Sequence, residues 1–164
     1  MPPEAVVNTS PLILLDKIGL LELLGSLYQK LWITEAVFEE IRAGDQGAEL
    51  EKKLKSFPWV ETTRLPVPPP ELLEWDLGRG ETSVIALARK NPGVEALIDD
   101  RAASRCARLY GVSCRGTIGI LLLAKERGEL REVKSSLDAL IRAGCWISNP
   151  FQKRILELAG EKEK

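Results

Sequence analysis

Ala96-Leu97-Ile98-Asp99-Asp100, running into Arg101–Tyr110 and closed by Gly111, decides the fold class of this chain. An apolar triplet too short for a helix gives way to two acids and then to residues at helical spacing, so the segment reads as buried strand, turn and helix. The same alternation extends in both directions. Upstream, Ala5-Val6-Val7 reads as a strand followed by a Thr-Ser-Pro turn, with Pro11 suited to the first helical position, and then by a helical stretch carrying Ile18, Leu20, Leu21, Leu23 and Leu24. Trp32 and Ile33 read as a second strand, and Thr34 is a good cap for a helix over Glu35–Ala43 that Gly44 ends. A helix over Asp45–Lys55 and a short edge strand at Trp59-Val60-Glu61-Thr62 follow. The prolines of Pro66–Pro70 cannot continue a helix or a central strand and make a rigid connection.

After Gly78-Arg79-Gly80 comes a strong helix, Glu81–Lys90, stopped by Asn91-Pro92-Gly93. Beyond Gly111, Ser113-Cys114 and Trp146–Ser148 read as short strands, with helices at Thr117–Arg127 and Val133–Ala143 and a terminal helix. Short strands alternating with longer amphipathic helices predict an α/β fold with a mainly parallel central sheet flanked by helices. A chain of 164 residues fits one domain, 1–164, long enough to bury a core without disulfides or structural metal. The charged tail Glu161–Lys164 is expected to serve solvation.

Composition removes several chemistries. Histidine is absent, which excludes a His-based triad, a histidine general base and any His-ligated zinc or haem. Cys106, Cys114 and Cys145 are odd in number and form no Cys-x-x-Cys pair, so neither a disulfide framework nor a zinc ribbon is indicated. Hydrophobic residues at 45% and charged residues at 29% are the balance of a soluble globular protein. The runs Leu12–Leu15 and Ile118–Ala124 are too short to cross a bilayer, and the N-terminus lacks the basic-then-apolar order of a secretory signal, so a cytoplasmic protein with no membrane span is expected. A net charge of −1 leaves no global basic footprint, and nucleic-acid binding would have to rest on a local patch.

In a parallel sheet the carboxyl ends of the strands gather ligand-binding groups, because the loops leave that edge toward helix N-termini. Asn8 follows the first strand, and Asp99 and Asp100 follow the strand ending at Ile98. Asp is also a common helix cap, which competes for Asp100. Glu81 has Val84, Ile85 and Ala88 on its own side of the helix, so it lies along the apolar stripe; favourable interaction with the helix N-terminus is the competing explanation. Glu40 shares its side with Ala36 and Val37, whereas Glu39 lines up with Glu35 and Ala43, which selects Glu40 for the site. Buried charge is costly unless paired or bound to metal, and no run of Lys or Arg supplies the pairing. Hard oxygen donors suit Mg²⁺ or Mn²⁺. Arg101, Arg105 and Arg108 fall on one helix side as a basic stripe for phosphates, or alternatively as a solvated, salt-bridged face. Trp32, Trp59, Trp75 and Trp146 are read as core packing rather than base-stacking platforms.

In order and spacing, Val6 with Val7-Asn8-Thr9-Ser10-Pro11-Leu12-Ile13, then Val37-Phe38-Glu39-Glu40-Ile41, Gly80-Glu81-Thr82-Ser83-Val84-Ile85-Ala86-Leu87-Ala88 and Leu97-Ile98-Asp99-Asp100-Arg101-Ala102-Ala103 resemble the PIN-domain superfamily, most of all its VapC-like branch. Gly116-Thr117-Ile118-Gly119-Ile120-Leu121, Ala124-Lys125, Gly128 and the stretch from Leu137 to Gly144 are similar to that branch too, so the resemblance covers nearly the whole chain. It implies a PIN-like three-layer fold, an acidic metal site, endoribonuclease activity, a homodimer and, in toxin–antitoxin pairs, a cognate antitoxin. Position by position, the first acid falls on Asn8, the second on Glu40, the third on Glu81 and the last on Asp99 or Asp100, with Ser10 and Thr117 as supporting hydroxyls. Asn8 departs from the pattern: an amide lends an oxygen without charge, so cation affinity should be weaker. The expected activity is Mg²⁺- or Mn²⁺-dependent cleavage of RNA at Asn8, Glu40, Glu81, Asp99 and Asp100, with Arg101, Arg105 and Arg108 along the backbone. A catalytically silent module binding RNA or a partner protein, and a DNA-processing nuclease of the same fold, are its rivals.

Overall fold

A computed structural model of the chain describes residues 3–65 and 67–162. In order the elements are β1 (Glu4–Val7), α1 (Thr9–Lys17), α2 (Leu23–Leu27), β2 (Lys30–Thr34), α3 (Glu35–Ala43), α4 (Gly47–Ser56), β3 (Val60–Thr63), α5 (Pro70–Leu73), α6 (Arg79–Lys90), β4 (Glu95–Leu97), α7 (Arg101–Leu109), β5 (Cys114–Arg115), α8 (Thr117–Glu126), α9 (Lys134–Arg142) and α10 (Asn149–Leu158). The five strands form one parallel sheet in the order β3-β2-β1-β4-β5. The chain therefore runs outward from β1 through β2 to β3, then restarts at β4 on the other side of β1 and runs to β5. That reversal leaves a crevice at the carboxyl ends of β1 and β4.

Burial follows from the layering. Ala5, Val6 and Val7 of the central strand are wholly inaccessible, as are Leu31, Ile33, Ala96 and Leu97. A strand covered by helices on both faces buries every side chain and reads as a continuous apolar run, not an alternating one. The edge strand β3 is only partly covered, as its polar sequence predicts. Helix α6 packs over β1, β2 and β4 and touches α3, α5 and α7, while α8 touches α1, α2, α10 and β5. No helix among the described residues is long and apolar enough to cross a membrane. All three cysteines are free thiols, Cys106 buried and the other two half-buried.

Four local expectations need correction. Pro11 lies in the third helical position, since α1 already starts at Thr9. The helix expected through Ile18 to Leu24 is broken, because Gly19 turns with φ +72° and ends the first helix before α2 begins. Trp146–Ser148 is not a strand: Trp146 is 87% exposed, and the Ser148 hydroxyl caps α10 by accepting the Phe151 N–H at 3.3 Å. Glu161 is not merely solvated, for its carboxylate accepts the N–H groups of Val133 and Lys134 at 2.7 and 3.0 Å and pairs with Lys125 at 2.8 Å. It thereby closes the N-terminus of α9, where no side chain of that segment does so. Of the remaining expectations, those resting on Met1, Pro2, Pro66, Glu163 and Lys164 lie outside the described residues.

Candidate active site

The crevice between β1 and β4 is where the acids gather. The Asn8 N–H donates to the Leu97 carbonyl at 3.0 Å, which ties the end of β1 to the end of β4. Asn8 occupies the cap position of α1, yet its side chain makes no capping bond. It is 5% exposed, and its Oδ1 is buried with no hydrogen-bond partner among the described residues. Such an orphan costs about 1–3 kcal/mol unless something outside the protein satisfies it.

One strand over, Asp99 and Asp100 divide two tasks. Asp100 caps α7, its Oδ2 accepting the Ala103 N–H at 2.9 Å, so the capping reading of this residue holds. Asp99 reaches across to α8, where it accepts both the N–H and the hydroxyl of Thr117 at 2.7 Å. The cap residue there, Gly116, has no side chain to offer, and a Cβ on it would stand 2.9 Å from Asp99 Oδ1. Asp99 thus does the capping from the neighbouring strand. Thr117→Val is expected to cost about 1.5–3 kcal/mol, the worth of a hydrogen bond to a charged group. Urea denaturation would measure it, and an unchanged midpoint would mean that the hydroxyl does not hold Asp99.

The two helical acids approach from the other side. Glu40 of α3 accepts the Thr9 hydroxyl at 2.7 Å and the Gly80 N–H at 2.8 Å. Glu81, half-buried in the first turn of α6, has its carboxyl held above the usual glutamate range by burial first and then by the negative charges of Asp100 and, more weakly, Glu40. The Gly78 backbone and the Asn8 side chain pull the other way. Glu81 therefore senses Asn8, Glu40 and Asp100 across the crevice, with Asp99 next to Asp100 in the chain. Among the described residues none of these four carboxylates has an ion-pair partner, whereas neighbouring Glu39 pairs with Arg79 at 3.2 Å.

Burial differs from expectation. Glu40, Asp99 and Asp100 are exposed, and only Glu81 is half-buried, so a cost of burial falls on Glu81 alone, with the charges of Asp100 and Glu40 adding to it. Of the expected hydroxyls, Thr117 is in place, but exposed Ser10 makes no hydrogen bond among the described residues and Thr9 takes its part. Thr9, Gly80 and Gly116 were not singled out from sequence. A hydroxyl directly after Asn8 and glycines directly before Glu81 and Thr117 were the available signals.

Among the described residues no three Asp, Glu or Cys side chains converge closely enough to ligate one ion directly. Mg²⁺ suits such an arrangement, because it keeps several waters and needs only one or two protein carboxylates. The donor set consists of hard oxygens, and the orphaned Asn8 Oδ1 lies among anions that can give it no hydrogen. A divalent cation fits both features.

Beside Asp99 and Gly116 opens a groove of about 570 Å³ lined by Arg101, Arg105 and Arg108. All three arginines are exposed, and none forms an ion pair among the described residues, so the stripe is a solvated basic face without salt bridges. Trp32, Trp59 and Trp75 pack against the core, in line with expectation, while exposed Trp146 does not.

A family model described as a PIN domain matches residues 4–161. No curated protein matches the chain.

Proposed function

The chain belongs to the PIN-domain family, which suggests nuclease-type activity in general, and from that premise we propose that it is a Mg²⁺- or Mn²⁺-dependent endoribonuclease. What supports this most is the group of unpaired carboxylates at the strand-switch crevice around an orphaned amide oxygen. Asn8, Glu40, Glu81, Asp99 and Asp100 are the residues that would surround a hydrated cation, one or two carboxylates meeting it directly and the others through its waters. When bound, such a cation lowers the pKa of water and stabilises negative charge developing on a phosphodiester, so histidine is not needed. The protein's own contribution is placement. Thr9 and Gly80 orient Glu40, Thr117 orients Asp99, and Arg101, Arg105 and Arg108 hold backbone phosphates alongside. Cleavage of a single-stranded RNA with Mn²⁺, and none with EDTA, is the expected result; equal cleavage in both would sink the reading. Single-stranded DNA as competitor tests whether RNA is preferred.

Asn8 supports a second reading, a silent module that binds RNA without cutting it, because a neutral amide attracts a cation less than a carboxylate does. Calorimetry separates the two, since no heat at millimolar Mn²⁺ together with tight RNA binding favours the module. Asn8→Asp is expected to tighten Mn²⁺ binding on the order of tenfold, about 1.4 kcal/mol. The same change should lower the melting temperature in EDTA, because it adds a fifth charge to the crowd. A variant that binds Mn²⁺ no better than the parent would remove Asn8 from the cation site.

A further inference from the structure

The acidic crevice is flanked by two cavities, not one. The arginine groove opens at the carboxyl ends of β4 and β5, where Ile98, Asp99 and Gly116 line it. A second cavity of about 520 Å³ opens at the carboxyl ends of β2 and β3, where Thr34 ends one strand and Arg64 follows the other. Strand order fixes their relation: β3 and β2 lie on one side of β1, β4 and β5 on the other, and Asn8 at the end of β1 lies between the two openings. Glu39 and Arg79, which line the second cavity, are the immediate chain neighbours of Glu40 and Gly80, themselves hydrogen-bonded at 2.8 Å.

Its chemistry is different from that of the arginine groove. Leu65, Pro68, Leu73 and Leu77 give it an apolar wall, with Leu73 54% exposed, while the Thr34 and Ser83 hydroxyls bond each other at 2.7 Å in its floor. Two acids line it, and both are neutralised: Glu39 pairs with Arg79 at 3.2 Å and Glu35 with Arg42 at 2.9 Å. Arg64 has no ion-pair partner among the described residues, so the cavity carries an uncompensated positive charge at its rim. An apolar wall for a flat ring beside a free guanidinium for an anion is the complement of a nucleotide. Its volume lies within the ordinary 300–1,000 Å³ range of small-molecule pockets.

We propose that the cavity between Leu65, Leu73, Leu77 and Arg64 is a nucleobase subsite, which takes the base of the nucleotide adjoining the scissile phosphate and gives cleavage its sequence preference. The proposal rests on the endonuclease reading for the words about cleavage, but the binding itself does not. Phosphates along the arginine groove position a strand and carry no sequence information, so discrimination must come from a place where a base is unstacked and enclosed.

Binding is tested first without cation. Nuclear magnetic resonance titration of the protein in EDTA with each 5′-nucleoside monophosphate, and with inorganic phosphate, should give shifts around Leu65, Leu73 and Leu77. The tightest nucleotide should bind at least about tenfold better than phosphate, which corresponds to about 1.4 kcal/mol from the base. Arg64→Ala and Ala36→Phe, the second filling the cavity from its α3 wall, should each weaken that nucleotide at least about tenfold, the fold-change a 1.4 kcal/mol loss produces. Shifts confined to the arginine groove, phosphate binding as well as nucleotide, or no binding at all would overturn the subsite. Cleavage of an RNA pool randomised around the cut is then read separately. Both variants should raise KM and flatten the wild-type preference with kcat little changed; an identical preference profile in all three proteins would overturn the specificity role even where nuclease activity is intact. If the wild type cuts nothing, the endonuclease reading fails on its own while the nucleotide titration still decides the subsite.

Discussion

Glu81→Gln is expected to abolish cation-dependent RNA cleavage and, in the same preparation, to raise the melting temperature of the cation-free protein at neutral pH. The two effects have one cause. Burial and the charges of Asp100 and Glu40 hold the Glu81 carboxyl above its ordinary value of 4.5 in the folded protein. The folded state thus binds that proton more tightly than the unfolded chain does. As pH rises from the ordinary value through the raised one, folding must give up a proton it prefers, and stability falls across that window and stays lower above it. Glutamine has no proton to lose, so at pH 7 the variant escapes the penalty, with a gain on the order of 2 °C for a chain of this size. Below the ordinary glutamate value both side chains are neutral and the gain should vanish. Millimolar Mn²⁺ should reverse the order, because the wild type gains stability by binding and the variant gains less. Cleavage should drop on the order of 100-fold or more, since several kcal/mol of charge stabilisation go with the cation. Cleavage within tenfold of wild type would remove Glu81 from the site, and a lower cation-free melting temperature for the variant would contradict the repulsion.

Sequence disclosed the carboxylates more readily than the arrangements that hold them. Glu81 was legible because it stands on the apolar stripe of its own helix, and Glu40 because its sidedness differs from that of Glu39. Those are local periodicities that a chain carries in its order. Asp99 was legible as an acid after a strand, but its partner Thr117 is 18 residues away, on the helix after the next strand, and only the pairing of β4 with β5 brings them together. Ser10 rather than Thr9 came from the family resemblance, and only the approach of α3 to the start of α1 shows that the Thr9 hydroxyl is the one that reaches Glu40. Trp146 and its neighbours carried strand-favouring side chains, yet Ser148 followed by Asn149-Pro150 is a helix-start signal, and the cap won. The second cavity had no signal at all, since its wall is assembled from α3, the β3–α5 connection, α5, the α5–α6 connection and α6.

Gly80→Ala should separate activity from stability in the opposite way to most glycine changes. Gly80 lies in the first turn of α6 without a positive φ, so its conformation is open to alanine, and alanine favours a helix over glycine by about 1 kcal/mol. What forbids the change is the neighbour: an added Cβ would stand 2.7 Å from both Glu40 carboxylate oxygens. Glu40 is exposed and flexible, so it can swing outward cheaply, and the fold should keep or slightly increase its stability. The carboxylate, however, would leave both the Gly80 N–H and the Thr9 hydroxyl. Loss of such orienting contacts around a metal ligand typically costs about 10–100-fold in affinity or activity, and cleavage should fall by that factor. Gly25→Ala is the contrast, because its Cβ would run into the Trp59 indole, a rigid ring stacked on Phe57 at 4.6 Å that must shift as a unit. That variant should lose about 1–3 kcal/mol through overpacking, with specific activity of the folded fraction unchanged. Gly80→Ala should therefore lower the cleavage rate without lowering the melting temperature, and Gly25→Ala should lower the melting temperature without lowering the rate. If Gly80→Ala retained full cleavage while its Glu40 was seen displaced, Glu40 would be an ordinary surface acid, and the candidate site would shrink to Asn8, Glu81, Asp99 and Asp100.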